Sequence, residues 1–333
     1  MARTSEIPIL TTEEAIARLR RAVHPRAVNF YAMYSSILGG IVNDPALMVL
    51  PLDDHIVHRG HGVFDTATLA NGMLYQLDQH LERLLRSAEM ARIPLPFGTE
   101  KLRRIILETA SASGRRDGSV RYWLSAGPGG FGLSPSECVG SSFYVVVFGG
   151  EGYPASYYTQ GVKVVTSTVP IKPPFFARVK STNYLPNVLV VLEAKDRGAD
   201  NGVFVDGRGM IAESSNMNVA FVTRDRVLRH PPFDAILSGI TVQRMLHLAR
   251  RLVERGELRE IRMGEIPVEE GQAAAEMLLI GSSIKVAPVV AWDGKPIGDG
   301  RPGPIAKKLL DLWYEDVRTA SDQLVAVPYV ENS

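Results

Sequence analysis

An α+β fold of two domains is predicted by three features of the chain. At 333 residues it exceeds the size at which a single hydrophobic core keeps growing. Strand and helix patterns are mixed without a regular β-α alternation, which excludes a doubly wound parallel sheet. The stretch 149–161 is short of core residues and rich in Gly, Tyr and Ser, so it reads as an interdomain linker. The expected division is an N-terminal helical extension at 1–30, a small α+β domain at 31–148, the linker at 149–161, and a larger α+β domain at 162–333.

The elements follow in order. Residues 12–23 set Ala15, Ile16, Leu19 and Val23 at helical spacing. From 31 to 52 the chain is apolar with repeated Gly and Pro, which predicts short strands at 36–38, 41–42 and 48–50. Residues 62–69 read as a strand, Asn71-Gly72 as a hairpin turn, and 73–75 as its return. Asp78 is placed to cap a helix with the face Leu81, Leu84, Leu85 and Ala88, which stops before Pro94. A second helix covers 99–113 and ends at Gly114, and strands follow at 119–125 and 142–148.

Beyond the linker, 162–167 is a strand and Ile171-Lys172-Pro173-Pro174 a rigid loop. Residues 184–197 form a helix carrying Leu185, Val188, Leu189 and Leu192, terminated at Gly198. Short strands are expected around Val203, Ile211 and Val219. A helix at 241–255 aligns Val242, Met245, Leu246, Ala249, Leu252 and Val253 and stops at Gly256. A short helix at 269–274, strands at 277–280 and 286–292, and a closing helix at 304–317 complete the chain.

Bulk properties narrow the function. With 45% hydrophobic and 22% charged residues, the composition is that of an ordinary soluble enzyme. A formal charge of +1 gives no global field for nucleic acid or an anionic membrane, so neither partner is expected. The single cysteine, Cys138, excludes an intramolecular disulfide framework. No basic residue adjoins it, so it reads as an incidental thiol rather than a nucleophile. Residues Met1 to Glu6 show no apolar stretch behind a basic start, and no apolar run reaches the ~20 residues of a membrane span. The expected location is cytoplasmic.

The chemistry centres on Lys180, in Arg178-Val179-Lys180-Ser181-Thr182-Asn183-Tyr184, and on Glu213, in Ala212-Glu213-Ser214-Ser215-Asn216. A lysine in a loop led in by Pro173-Pro174 and followed at once by a helix is held in place. With a depressed pKa it forms Schiff bases and carries protons. A glutamate buried among Ser and Asn donors can hold a proton on a pyridine nitrogen, which turns the ring into an electron sink. The pair matches what pyridoxal phosphate (PLP) requires. Ser238-Gly239-Ile240-Thr241 opens a helix whose first N–H groups favour an anion. Gly281-Ser282-Ser283 and Arg83 supply further phosphate donors. His55, His58 and His61 stand beside acidic residues, but zinc-type spacing is lacking, so hydrogen bonding or a pocket mouth is the preferred reading. No metal is expected. Gly127-Pro128-Gly129-Gly130-Phe131-Gly132 follows a strand without opening a helix, and reads as a mobile active-site loop rather than a phosphate loop.

Five motifs in this order carry a resemblance: His61-Gly62-Val63-Phe64-Asp65, Asp78-Gln79-His80-Leu81-Glu82-Arg83-Leu84, Lys180-Ser181-Thr182-Asn183-Tyr184, Glu213 with Asn218-Val219-Ala220-Phe221, and Gly239-Ile240-Thr241. From about Met33 to about Tyr329 the chain resembles the class IV, fold type IV PLP enzymes: branched-chain aminotransferases, D-amino acid aminotransferases and aminodeoxychorismate lyases. Tyr122-Trp123-Leu124-Ser125-Ala126-Gly127-Pro128-Gly129 and Ile171-Lys172-Pro173-Pro174 look closest to the plant-type D-amino acid aminotransferase and lyase branch. The resemblance implies a D-amino acid aminotransferase-like fold with PLP between two domains, and a homodimer with shared active sites. It implies Lys180 as the Schiff-base lysine, Glu213 as the pyridine-nitrogen partner, Arg83, Ile240, Thr241 and Ser283 as phosphate ligands, and Tyr184 near the ring.

The chain also departs from the bacterial D-amino acid aminotransferases. Where those hold the substrate carboxylate with a Tyr, an Arg and a His, this chain has Phe64 and the neighbourhood of Ala126. Arg59, His61, Lys172 and Arg178 are the candidate replacements, Arg178 foremost because it is two residues from Lys180. The expected reaction moves an amino group from a D-amino acid to a 2-oxo acid by ping-pong transfer through pyridoxamine phosphate. The alternatives are an aminodeoxychorismate lyase, an (R)-selective amine transaminase and a catalytically idle PLP-binding protein.

Overall fold

The structure, a computed structural model, describes residues 7–150 and 152–329. The leader reading of Met1 to Glu6 lies outside the described residues.

Two sheets organise the chain. The first is seven-stranded, in the order Leu324–Ala326, Met73–Tyr75, Gly62–Ala70, Gly118–Ser125, Ser142–Phe148, Phe30–Ser35, Gly40–Val42, with every neighbouring pair antiparallel. Alternation makes it work. Along Gly62–Ala70, Val63, Ala67 and Leu69 are buried on one face. The helix Leu77–Met90 lays Leu77, Leu81, Leu84 and Ala88 in the same core. Burying each of those leucines contributes roughly 2 kcal/mol.

The second sheet is nine-stranded and mixed. Its path runs Glu260–Met263, Val227–His230, Asn218–Val222, Glu276–Gly281, Lys285–Trp292, Val162–Thr166, Asn201–Val205, Ile211–Ser214, and the ninth strand, Lys295–Pro296, pairs off this path with Lys285–Trp292. Its central strands are continuous apolar runs because both faces are covered. Ala220, Val222, Leu278 and Ile280 pack with the helices Ile240–Leu248 and Pro304–Thr319. Val219, Phe221, Met277 and Leu279 enter a second core with Trp292. The sheets are tied together where Tyr75 Oη donates to Asp316, whose carboxylate also takes two Arg244 bonds of 2.8 and 2.6 Å.

Some expected elements differ. Residues 36–38 form a turn, with Gly39 at φ +67°, between Phe30–Ser35 and Gly40–Val42. Residues 48–50 are irregular. Asp78 does not cap its helix: Gln76, in the left-handed region, precedes Leu77, and Asp78 pairs with Arg103 at 2.7 Å. The helix expected at 241–255 breaks at Ala249 into Ile240–Leu248 and Arg250–Glu254. The stretch 149–161 is not poor in core contacts, since Tyr153, Tyr157 and Tyr158 pack on the second core. The chain then returns: Leu324–Ala326 pairs with Met73–Tyr75 in the first sheet. We propose the division at 149–161 with that last strand exchanged to the first unit. No helix among the described residues is long and apolar enough to cross a membrane.

Candidate active site

Lys180 is positioned by backbone, before any side chain acts. Its carbonyl accepts the Phe64 N–H at 3.0 Å, and Thr182 N–H donates to the Gly62 carbonyl at 2.9 Å. Residues 180–182 therefore run along the start of the strand Gly62–Ala70, with a bridge between Val63 and Ser181. The helix Leu185–Asp196 follows with Pro186 in its first turn, where a missing N–H costs nothing. This leaves Lys180 Nζ 3.3 Å from Tyr184 Oη, to which it donates, and 4.7 Å from the Phe64 ring centre. Burial, aided by the Arg83 charge, presses its pKa down to about 8. A large part of the amine is then neutral, and nucleophilic, near physiological pH.

Glu213 lies on the strand Ile211–Ser214 and is almost fully buried. Oε2 accepts one bond, from the Leu237 N–H at 3.3 Å. Burial raises its pKa to about 7, against the opposing pull of Lys172. Such a carboxylate is held ready for a positive partner.

Arg83 and Asp65 form the buried pair at the other side. Nε and Nη2 donate to the two Asp65 oxygens, each at 2.8 Å, and Nη1 donates to the Ser238 carbonyl at 3.1 Å. His80 Nδ1 lies 2.8 Å from Asp65 Oδ1. Burial alone would raise the Asp65 pKa. The charges of Arg83 and His80 outweigh it and hold the carboxyl well below its usual range. Arg83 is thus fixed, its third face toward the N-terminus of the next helix.

That helix, Ile240–Leu248, has no side-chain cap among the described residues. Its opening N–H groups can take an anion. A Cβ on Gly239 would stand 2.0 Å from Asn218 Oδ1, so glycine is what allows the close approach. Thr241 Oγ1 and Ser282 Oγ share a hydrogen bond of 3.1 Å, joining the helix start to the turn after Glu276–Gly281.

Lys180, Glu213, Arg83, Ile240, Thr241, Ser283, Tyr184 and Phe64 all line one cavity of about 250 Å³ between the two sheets. The volume lies near the lower end for small-molecule sites. Lys172 lines it too, with Nζ 5.0 Å from the Tyr184 ring centre. The other carboxylate candidates do not. Arg59 is spent on the Phe131 and Gly132 carbonyls. His61 Nε2 bonds the Ala91 carbonyl at 2.8 Å. Arg178 points into solvent, because the short helix Pro174–Ala177 turns it away from its neighbour Lys180. The end of the loop 127–132 is tied at the Phe131 and Gly132 carbonyls by Arg59, the residue that follows the short helix His55–His58, and none of these residues lines the cavity.

One residue escaped the sequence reading. Arg121 lines the cavity, donating Nε to Thr66 Oγ1 at 2.9 Å, and forms no ion pair among the described residues. Burial lowers its pKa from the ordinary arginine value. The signal was the strand pattern: Val120, Tyr122 and Leu124 are buried on the core face, so Arg121 shares the opposite face with Phe64 and Thr66.

The site holds a nucleophilic amine, a buried carboxylate, an anion-binding end and, among the described residues, two cations without carboxylate partners. Comparison with known proteins gives it a family. The model for "Amino-transferase class IV" matches residues 62–292, which include every cavity residue named above. The chain is 54% identical to the chloroplastic D-amino-acid transaminase of Arabidopsis thaliana over 97% of this chain and 86% of that one. It is 25% identical to the D-alanine aminotransferase of Bacillus licheniformis over 82% of this chain and 93% of that one. The crystal structure of the Escherichia coli branched-chain amino acid aminotransferase superposes with a TM-score of 0.82 at 23% identity, covering 90% of this chain and 99% of that one. The PLP-form of the branched-chain amino acid aminotransferase from Thermobaculum terrenum gives a TM-score of 0.76 at 21% identity, covering 89% of this chain and 98% of that one. The chain belongs to the class IV aminotransferases and is a PLP-dependent enzyme of that family.

Proposed function

We propose that this enzyme transfers amino groups from D-amino acids to 2-oxo acids. The observation that carries the reading is the 54% identity, over 97% of the chain, to a D-amino-acid transaminase. The residues present fit the cofactor. With PLP bound, Lys180 Nζ would hold its aldehyde, Glu213 would partner the ring nitrogen, and Arg83, Ile240, Thr241 and Ser283 would hold the phosphate, with Tyr184 beside the ring, since all of them line the one cavity. Bound PLP supplies an aldehyde that accepts the amino group and a ring that withdraws electron density from the substrate α-carbon. Lys180 Nζ takes the proton from that carbon, as a base with a pKa near the working pH should. Tyr184 Oη orients the amine; burial raises its own pKa to about 12, so it acts as a hydroxyl and not as a phenolate.

Arg121 and Lys172 support a carboxylate-bearing substrate over a plain amine. Of the two, Arg121 is the better receiver, since its guanidinium binds a carboxylate with paired N–H groups. Replacing Arg121 by leucine is expected to raise the KM for D-alanine by roughly 100-fold and to leave turnover of (R)-1-phenylethylamine unchanged. The reading as a whole is tested with D-alanine, L-alanine and the amine, each paired with 2-oxoglutarate or pyruvate. D-alanine should lead by about 100-fold in kcat/KM. A faster L-alanine or amine contradicts it, and pyruvate release from aminodeoxychorismate without an oxo acid identifies a lyase.

The expected homodimer finds support in the helix Leu185–Asp196. Leu185, Val188, Leu189 and Leu192 are 68, 51, 42 and 50% exposed, with Phe175 and Phe176 exposed nearby. A second copy of the chain covering this apolar face accounts for it. Sedimentation should give the mass of two chains at micromolar concentration; one chain contradicts the dimer. The lone cysteine fits a reducing compartment such as the cytoplasm, and recovery of the native chain in an oxidising one would overturn that placement.

A further inference from the structure

Beneath the anion-binding end of the cavity lies a lysine that the reaction does not use. The turn at residues 282–284 joins the strands Glu276–Gly281 and Lys285–Trp292. Ser282, Ser283 and Ile284 line the cavity, while Lys285 does not. Lys285 has φ +63°, a left-handed conformation. For a residue with a Cβ this costs roughly 1–2 kcal/mol, and glycine would adopt it freely. The strain places the side chain under the turn. Lys285 Nζ donates to the Ser282 carbonyl at 2.9 Å and to the Ser283 carbonyl at 3.3 Å. It also sits 4.9 Å from the Trp313 ring centre. Among the described residues it forms no ion pair, so its charge is not cancelled by a carboxylate.

Peptide planarity gives this arrangement a direction. In a trans peptide the C=O of one residue and the N–H of the next point opposite ways. With the Ser282 and Ser283 carbonyls drawn down onto Nζ, the N–H groups of Ser283 and Ile284 point away from it, and both residues line the cavity. Neither N–H has a backbone partner among the described residues. The Ser282 hydroxyl is in turn tied to Thr241.

We propose that Lys285 is a positioning residue for the cofactor phosphate: its ammonium holds the Ser282 and Ser283 carbonyls so that the next two N–H groups face the anion, and adds an uncancelled positive charge below it. The proposal rests on the reading that the phosphate sits at Thr241 and Ser283. Burial holds the Lys285 pKa down at about 8, and a dianion above the turn would keep it protonated.

The test compares PLP with pyridoxal, which lacks the phosphate, as ligands of the apoprotein. Lys285→Met should weaken PLP binding roughly 10-fold and leave pyridoxal binding unchanged, with Lys285→Arg within about 3-fold of wild type. Lys285→Gly, which relieves the left-handed strain, should fold and show the same loss for PLP alone. Thr241→Val is the control on the site. If Thr241→Val loses PLP discrimination and both Lys285→Met and Lys285→Gly keep it, Lys285 has no such role. If Lys285→Met weakens PLP and pyridoxal alike, or raises only the KM of the amino donor, the proposal is likewise overturned. If Thr241→Val changes nothing, the phosphate itself is misplaced.

Discussion

Replacing Lys180 by methionine is expected to lower amino transfer on the order of 10⁵-fold, with the fold intact. Methionine matches the lysine stem and lacks only the amine, so it also loses the contact of Nζ with the Phe64 ring. No other lysine can take over. Lys172 Nζ lies at the Tyr184 ring, and Lys285 Nζ is committed to two carbonyls beneath the site. The same substitution should make the apoprotein more stable at pH 7. The folded Lys180 pKa of about 8 lies below its ordinary 10.5, so the unfolded chain holds more protons between those values. Stability therefore rises with pH across that window, and the cost of the buried ammonium is complete below it. Chemical denaturation of both apoproteins at pH 7 and pH 10 checks this. The methionine variant should lead at pH 7, and the gap should narrow at pH 10. A variant that is equally active, or less stable at pH 7, contradicts the role given to Lys180.

Glu213→Gln should lower kcat by about 10³-fold, because a neutral amide cannot hold a proton on the ring nitrogen. Its effect on the apoprotein has the opposite sign. Glu213 is raised from 4.5 to about 7 by burial, so between those values the folded chain holds the extra proton. Stability is full at low pH, falls as pH rises through this window, and is lowest above pH 7. The loss is about 3 kcal/mol on the scale of one pKa unit per 1.4 kcal/mol. Glutamine escapes it. The variant should match wild type near pH 4 and exceed it by about 3 kcal/mol at pH 8. Urea titrations at the two pH values, beside kcat, separate a residue held for function from one held for stability. An E213Q enzyme of unchanged kcat would remove Glu213 from the mechanism.

Lys180, Glu213 and Gly239, which line the cavity, were legible in the sequence because each is marked by local signals. Lys180 leads into a helix, Gly239 opens one, and Glu213 stands in a short strand followed by Ser214, Ser215 and Asn216, so each announces itself within a few residues, although the hydrogen bond that Glu213 accepts comes from the Leu237 N–H. Arg121, the proposed carboxylate receiver, was not legible in the same way. Arg121 reaches the cavity only because its strand pairs in register with Gly62–Ala70, which sets it opposite Thr66. Arg178 fails for the converse reason, since sequence proximity to Lys180 says nothing of direction once a short helix has turned the chain. Among the elements, 36–38 and 48–50 carried strand-like composition but lie in connections, where Ile37, Leu38, Val49 and Leu50 are exposed and unpaired by any strand among the described residues. The final strand, Leu324–Ala326, was hidden because its partner lies about 250 residues earlier in the chain.

We propose that Lys180 carries the cofactor inside this cavity. Borohydride reduction of the holoenzyme, followed by digestion and peptide mass mapping, tests it most directly. The pyridoxyl mass is expected on the peptide containing Lys180, at about one per chain, with yield rising as pH passes about 8 in reconstitution from the apoprotein. A pyridoxyl mass on Lys172 or Lys285, or none on Lys180, would contradict it.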